Sequence, residues 1–446
     1  MFARLLTCAL LAFACLGCAD KPEAKPARDL VILVLDALPA HELSSYGYSR
    51  ATTPHLDALA EEGLRFESAF ASASYTLAST ASLFTGMTPR GHGCTDETGQ
   101  VLGPDRETLA ERLQARGFRT AAFSLNPQVS RETGFDQGFD TFEYWPRDDF
   151  TYNRIPAGFL ERVTEAWQAG AGERRFLYVH LLPPHVPYSP PPPFDTRFGA
   201  DKVDPKEGLQ TSLRALNQDT VWLTPDDARV MNARRLYDAG LVYADEVSAQ
   251  LLAALGEHGG LDQAALVVMS DHGEAFGEHG RILHGSMASL EMTHVPLILS
   301  GPGIKAGVRK DTVRTRDLAA TLSEWLDVAW EPRVATGRSF LAAPGLAPED
   351  WHGALARSSG PSPIWGLRTE GWTYIRHTAT GREELYDRAS DPLEQQNLAT
   401  TNEPDRERLA KALDRVLGRE RAIGRRFLTP EQTDAHKDEL KDIGYL

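Results

Sequence analysis

Short apolar runs alternate with amphipathic stretches along most of the chain, the pattern of a parallel sheet covered by helices. Asp29–Leu35, Phe118–Leu125, Phe176–Leu182, Ala264–Ser270 and Val295–Leu299 predict strands, because each is a brief apolar run bounded by turn-forming residues. Helical spacing covers Pro54–Glu62, Ser79–Thr85, Thr108–Arg116, Asp226–Leu255 and Thr315–Leu326. Pro183–Pro193 can only be loop, since proline lacks an N–H and fixes φ. Asp201–Gln218 has no clear period and reads as loop too. The texture changes near Pro344. Trp365–Thr369, Trp372–Arg376 and Glu384–Asp387 then read as short strands, followed by a charged helix, Glu403–Arg419. The expected fold is α/β, a central mostly parallel sheet flanked by helices over residues 29–344. A small C-terminal α+β subdomain, ending in a helix, takes residues 345–446.

The N-terminus stands outside this pattern. Arg4 precedes an apolar run, Leu5–Leu16, too short to span a bilayer permanently. Residues 1–18 end in Leu16-Gly17-Cys18, and residues 19–28 are a polar tether. This resembles a bacterial lipoprotein signal, in which Cys18 becomes the acylated first residue; an ordinary cleaved signal peptide is the alternative. Either places the protein outside the cytoplasm, in the bacterial envelope facing the periplasm or secreted. Membrane contact would then come through the N-terminal lipid alone. Cys8 and Cys15 lie inside the signal, which leaves Cys94 alone in the folded body and allows no internal disulfide.

The 446 residues are enough for one large core plus a smaller one, and an apolar fraction of 42% is ordinary for a globular chain. Lys+Arg 47 against Asp+Glu 62 gives a net charge of −15, which argues against a nucleic-acid partner. An anionic substrate therefore needs a local cation to offset the global field.

Candidate chemistry collects where the strands end. Ligands of open parallel sheets bind at the carboxyl ends of strands. Asp36 follows the first predicted strand and Asn126 the second; His180 and His185 close or follow the third; Asp271 and His272 follow the fourth. One such residue is usually a helix cap, but repetition at strand after strand points to a site. Asp271-His272-Gly273-Glu274 is the sharpest element, because the chain turns there and Gly273 permits close backbone approach. His279, His284 and His294 follow within a short stretch. Carboxylates with imidazole suit Zn²⁺ or Mn²⁺, whereas an all-oxygen set suits Ca²⁺ or Mg²⁺. Ser74–Gly86 is hydroxyl-rich and leads into a short helix, so Thr76 falls near a helix N-terminus that favours an anion. A metal beside Thr76 would make its hydroxyl a nucleophile. Glu274 reads either as an orienting partner for a ligand His or as a solvated charge. Tyr237, Asp238, Tyr243 and Asp245 share one face of the long helix and read as packing or capping residues.

Taken together these motifs resemble the sulfatase family of the alkaline-phosphatase superfamily, from roughly Asp29 to Leu326. Tyr46-Gly47-Tyr48, Thr53-Pro54-His55-Leu56-Asp57, Glu384-Leu385-Tyr386-Asp387 and the final Ile443-Gly444-Tyr445-Leu446 also look like that family. The resemblance implies one divalent metal ion, with Asp36 as first metal carboxylate and Asp271 and His272 as the later ligands. It puts Thr76 at the nucleophile position, His185 against the ester oxygen, and His284 and Asn126 on the anionic group. The departures matter. Thr76-Leu77-Ala78-Ser79-Thr80 lacks the Cys or Ser, the Pro and the Arg of the motif converted to formylglycine, and Ala37 and Pro39 replace a usual Asp and Arg. A Thr nucleophile in a one-metal set resembles instead the phosphoethanolamine and lipoteichoic acid transferases.

The leading expectation is a metal-dependent hydrolase of sulfate or phosphate esters, acting on a small molecule, a glycan or a lipid headgroup. A phospho-headgroup transferase and a non-catalytic relative are the alternatives.

Overall fold

The computed structural model describes residues 26–95, 100–146, 153–201, 222–330, 337–341, 355–356, 363–419, 426–429, 432–434 and 437. The signal with Cys18, most of Asp201–Gln218, the boundary at Pro344 and the final Ile443–Leu446 motif lie outside the described residues.

The main sheet has nine strands. β1 (Asp29–Leu35), β2 (Leu64–Phe70), β3 (Phe118–Ser124), β4 (Thr141–Tyr144), β5 (Arg174–Leu181) and β6 (Ala264–Met269) come first along the chain. After them come β7 (His294–Val295), β8 (Leu297–Ser300) and β9 (Gly307–Arg314). The spatial order is β7-β2-β8-β6-β1-β5-β3-β4, with β9 paired to β2. β1 lies between β5 and β6, parallel to both, with Val34 level with His180 on one side and Met269 on the other. All seven β1 residues are buried. Ile32 and Val34 join one core layer, while Val31, Leu33 and Leu35 join the other, as a period of two demands when both faces are covered.

Three differences from the sequence reading have physical causes. Val295–Leu299 is not one parallel strand. It is split at Pro296 and its second half runs antiparallel to β6, since proline cannot complete the ladder. β2 and β9 escaped notice because Arg65, Glu67, Arg309, Lys310 and Asp311 interrupt any apolar run. The helix beginning at Ser79 in the sequence reading starts three residues earlier, at Thr76.

Helices α1 (Pro54–Glu62), α2 (Thr76–Thr85), α3 (Leu109–Gln114), α4 (Phe159–Ala169), α5 (Ala228–Glu257) and α6 (Leu318–Trp325) cover the sheet. The long α5 packs on α1 and α4. The C-terminal subdomain is an antiparallel sheet of Leu355–Ala356, Ile364–Arg368, Trp372–His377 and Glu383–Asp387. Its core of Leu367, Tyr374 and Leu385 meets Leu409 and Leu413 of the helix Glu403–Arg419, and Trp365 and Trp372 pack against it. Among the described residues no helix is long and apolar enough to cross a membrane.

Candidate active site

The carboxyl ends of β1, β3, β5 and β6 meet at one edge of the sheet, and each delivers a polar side chain. The chain leaves β1 through Ala37, whose φ of 55° lies in the left-handed region that non-glycine residues avoid. Three hydrogen bonds hold that turn. Ala37 N donates to Asp271 Oδ1 (3.3 Å), Leu38 N donates to Ser270 Oγ (2.9 Å), and Tyr237 OH donates to the Ala37 carbonyl (2.8 Å). At the end of β6, a Cβ added to Gly273 would fall 2.0 Å from the Glu291 carbonyl oxygen, so only glycine fits.

Asp36, Asp271 and His272 therefore converge. They are fully buried, and one ligand atom from each lies within 4.8 Å of the others. His272 Nδ1 donates to the Gly273 carbonyl (2.9 Å), which leaves Nε2 facing the carboxylates. Asp36 Oδ1 and Asp271 Oδ2 have no hydrogen-bond partner among the described residues, and Nε2 is 3.5 Å from a carboxylate oxygen of each. Burial raises the Asp271 carboxyl and the neighbouring Asp36 charge raises it further. Burial also raises Asp36, but His185, His180 and His272 pull it well below the usual carboxylate range. Two buried carboxylates, each presenting an oxygen with no donor, form a repulsive pair that a cation relieves. The donor set fits a metal ion.

Thr76 enters the same cage. Tyr75 is extended, at φ −158°, so α2 begins at Thr76, and Gly86 ends the helix in the left-handed region. Ser79 Oγ donates to the Asp271 carbonyl (2.5 Å) and ties the helix start to β6. Thr76 Oγ1 lies 3.1 Å from His272 Nε2 and 3.3 Å from Asn126 Nδ2. Asn126 Nδ2 also donates to Asp36 Oδ2.

The remaining wall carries His185 and His284, both predicted. Their ring centroids are 4.8 Å apart, and His284 is 4.4 Å from His272. Glu274 is no solvated charge: it is fully buried and accepts from His284 Nδ1 at 3.0 Å. Burial pushes the Glu274 carboxyl up to about 7 and pushes the His185 imidazole down to about 4. Two cluster members leave the site. His279 binds Glu291 and the Glu394 carbonyl, and His294 binds the Glu67 carbonyl. Asp245 accepts from the His55 and Leu56 amides and caps α1 rather than touching the cage.

His180, one of the strand-end residues picked out in the sequence but given no specific role, reaches the cage, and Tyr178, which the sequence did not single out, stands behind it. His180 Nε2 is 3.2 Å from Asp36 Oδ2, and His180 Nδ1 is 2.9 Å from Tyr178 OH. Their signal in sequence is the alternation Tyr178-Val179-His180, which puts both on one face of β5.

The sequence profile of the sulfatase family matches residues 28–328, more than half of the chain. The chain belongs to the sulfatase family. With that membership goes the enzyme class, a hydrolase of sulfuric or phosphoric esters. A Bacteroides thetaiotaomicron delta 4,5-hexuronate-2-O-sulfatase is 24% identical over 429 residues, covering 86% of each chain. A choline-sulfatase of Rhizobium meliloti is 25% identical over 399 residues, covering 78% of this chain and 77% of its own. Among solved structures, a phosphonate monoester hydrolase of Silicibacter pomeroyi superposes with a TM-score of 0.70 at 19% identity, covering 90% of this sulfatase-family chain and 99% of that one. A different protein, solved in complex with its substrate D-glucosamine-2-N,6-O-disulfate, reaches 0.69 at 20% identity, with 93% of this chain and 100% of that one covered. These structural likenesses establish the sulfatase fold.

Proposed function

We propose that this sulfatase-family enzyme hydrolyses sulfate or phosphate esters with Thr76 as nucleophile beside one divalent cation. The observation that carries the reading is the Thr76 hydroxyl at the first turn of α2, 3.1 Å from His272 Nε2, a nitrogen that itself lies 3.5 Å from both carboxylates. Asp36 through Oδ1, Asp271 through Oδ2 and His272 through Nε2 would hold the cation. A bound divalent cation supplies the charge that lowers the hydroxyl pKa of Thr76 and neutralises an ester oxygen. Two single carboxylate oxygens with one imidazole nitrogen favour Zn²⁺ or Mn²⁺ over Ca²⁺ or Mg²⁺.

Thr76 Oγ1 gives up its proton and attacks the phosphorus or sulfur; its new bond forms as the bond to the leaving-group oxygen breaks, and that oxygen takes up the proton Thr76 released. Water then attacks the same atom; the bond to Thr76 Oγ1 breaks as one water proton returns to that oxygen, and inorganic phosphate or sulfate is released. Asn126 Nδ2 donates to the developing oxyanion, as does the N-terminal turn of α2. Glu274 fixes His284 through Nδ1, so that ring meets a substrate oxygen through Nε2. His185, kept neutral at pH 7 by its burial, hydrogen-bonds the ester oxygen. The relatives' names point to a sulfated saccharide or a small anionic ester as substrate class.

The test is turnover of aryl sulfate and aryl phosphate esters by the chelated chain as Mn²⁺ or Zn²⁺ is returned. Metal is expected to restore activity, and Thr76→Ala to lose about 1,000-fold or more while still melting normally and binding metal. Activity that survives Thr76→Ala sinks the mechanism.

A further inference from the structure

Each carboxylate of the cage is divided into a held oxygen and an offered one. Asp271 Oδ1 accepts from the backbone amides of Ala37 (3.3 Å) and His272 (3.0 Å), which leaves Oδ2 for a cation. Asp36 has no backbone amide performing that service. Its Oδ2 is approached instead by two side chains, Asn126 Nδ2 and His180 Nε2, while Oδ1 has no hydrogen-bond partner among the described residues.

His180 restrains Asp36 only if its proton sits on Nε2. Its other nitrogen decides that. Tyr178 OH lies 2.9 Å from Nδ1, and both rings are fully buried on one face of β5. A buried phenol keeps its proton and donates it. Nδ1 then accepts, and Nε2–H donates to Asp36. The opposite tautomer would set a ring lone pair against a carboxylate lone pair at 3.2 Å.

We propose that Tyr178 and His180 are a positioning pair that locks Asp36 so that it offers Oδ1 alone to the divalent cation, and that this lock sets both the affinity and the metal preference of the site. The inference rests on the metal reading of the cage. A carboxylate held by one oxygen cannot turn to chelate with both, and bidentate chelation is what a large cation such as Ca²⁺ exploits. Release of the lock therefore weakens Mn²⁺ more than Ca²⁺.

The test uses the full chain, Mn²⁺ and Ca²⁺ alone as probes, and affinity read by competition with a metal-sensitive chelator. Tyr178→Phe and His180→Leu are expected to weaken Mn²⁺ about 10–100-fold, as losses of partners behind metal ligands do. His180→Gln, which keeps an N–H donor, recovers part of the loss. The Tyr178→Phe/His180→Leu double variant is no weaker than His180→Leu, because the tyrosine acts through the histidine. The ratio of Mn²⁺ to Ca²⁺ affinity falls in each weakened variant. Pulsed electron paramagnetic resonance of the Mn²⁺-loaded wild type detects one coordinated imidazole nitrogen, from His272. Two coordinated nitrogens, additive losses, or a Tyr178→Phe chain that melts normally and binds Mn²⁺ like wild type overturn the pair. If His180→Leu does not fold, Tyr178→Phe with and without His180→Gln carries the same comparison. A wild type that binds no Mn²⁺ overturns the metal reading and the pair together, whereas wild-type binding with an indifferent Tyr178→Phe overturns the pair alone.

Discussion

Asp36 and Asp271 are buried side by side, and each turns one oxygen to 3.5 Å from His272 Nε2. Without a cation that arrangement stores electrostatic strain; with one it becomes a binding site. Asp271→Asn deletes one of the facing charges and keeps the shape. Its metal-free form should melt at or above the wild-type temperature, and calorimetry should show most of the stabilisation by Mn²⁺ gone. In wild type, Mn²⁺ at a hundred times its Kd should add about 2.7 kcal/mol of stability. A variant that melts far lower and keeps the full metal response would show that the two carboxylates do not share a cation. Asp36, Asn126, Asp271 and His272 were legible because each directly follows an apolar run, where a polar side chain has no packing reason to be. His180 was legible as a strand-end residue but its place behind Asp36 was not, and Tyr178 was not legible at all, since a residue inside a strand gives no sign of what lies across the sheet.

At the scale of elements, the site depends on where β6 ends and α2 begins. The turn after β6 passes so close to the Glu291 carbonyl that Gly273→Ala should cost more than about 3 kcal/mol, measured by denaturant unfolding, and should weaken metal binding as Asp271 and His272 shift. A variant with wild-type stability would mean the turn yields more easily than its contacts imply. β1 and α1 were legible to the residue, because a run buried on both faces and a proline-led amphipathic stretch leave little choice. The start of α2 was not. The sequence placed Thr76 near the helix start but began the helical spacing at Ser79, and the first turn at Thr76 is held by Ser79 Oγ on the Asp271 carbonyl. β2 and β9 were invisible for the opposite reason, because charged residues interrupt both strands, although β2 is paired on both sides and only β9 lies at the edge.

Across the whole molecule, His279 ties the catalytic domain to the C-terminal subdomain. Its ring meets Glu291 at 2.9 Å and the Glu394 carbonyl at 2.7 Å, and Glu394 in turn is paired with Arg368. Burial lowers the imidazole, but the Glu291 hydrogen bond and charge raise it to about 9 from 6.5. A raised folded value means the stabilisation is complete below pH 6.5 and drains away as pH climbs through 9. His279→Gln should therefore destabilise the chain at pH 6 by up to about 3 kcal/mol and approach wild type near pH 10, read from melting curves across that range. A pH-independent difference would contradict the ion pair.

The central claim is that Thr76 carries the transferred group. The most direct measurement is mass spectrometry of the Thr76 peptide from the metal-loaded enzyme, acid-quenched during turnover of an aryl phosphate or aryl sulfate. One phosphoryl or sulfuryl group is expected on Thr76, absent from Thr76→Ala and from chelated enzyme. An unmodified Thr76 in an enzyme whose turnover is undiminished by Thr76→Ala would contradict it.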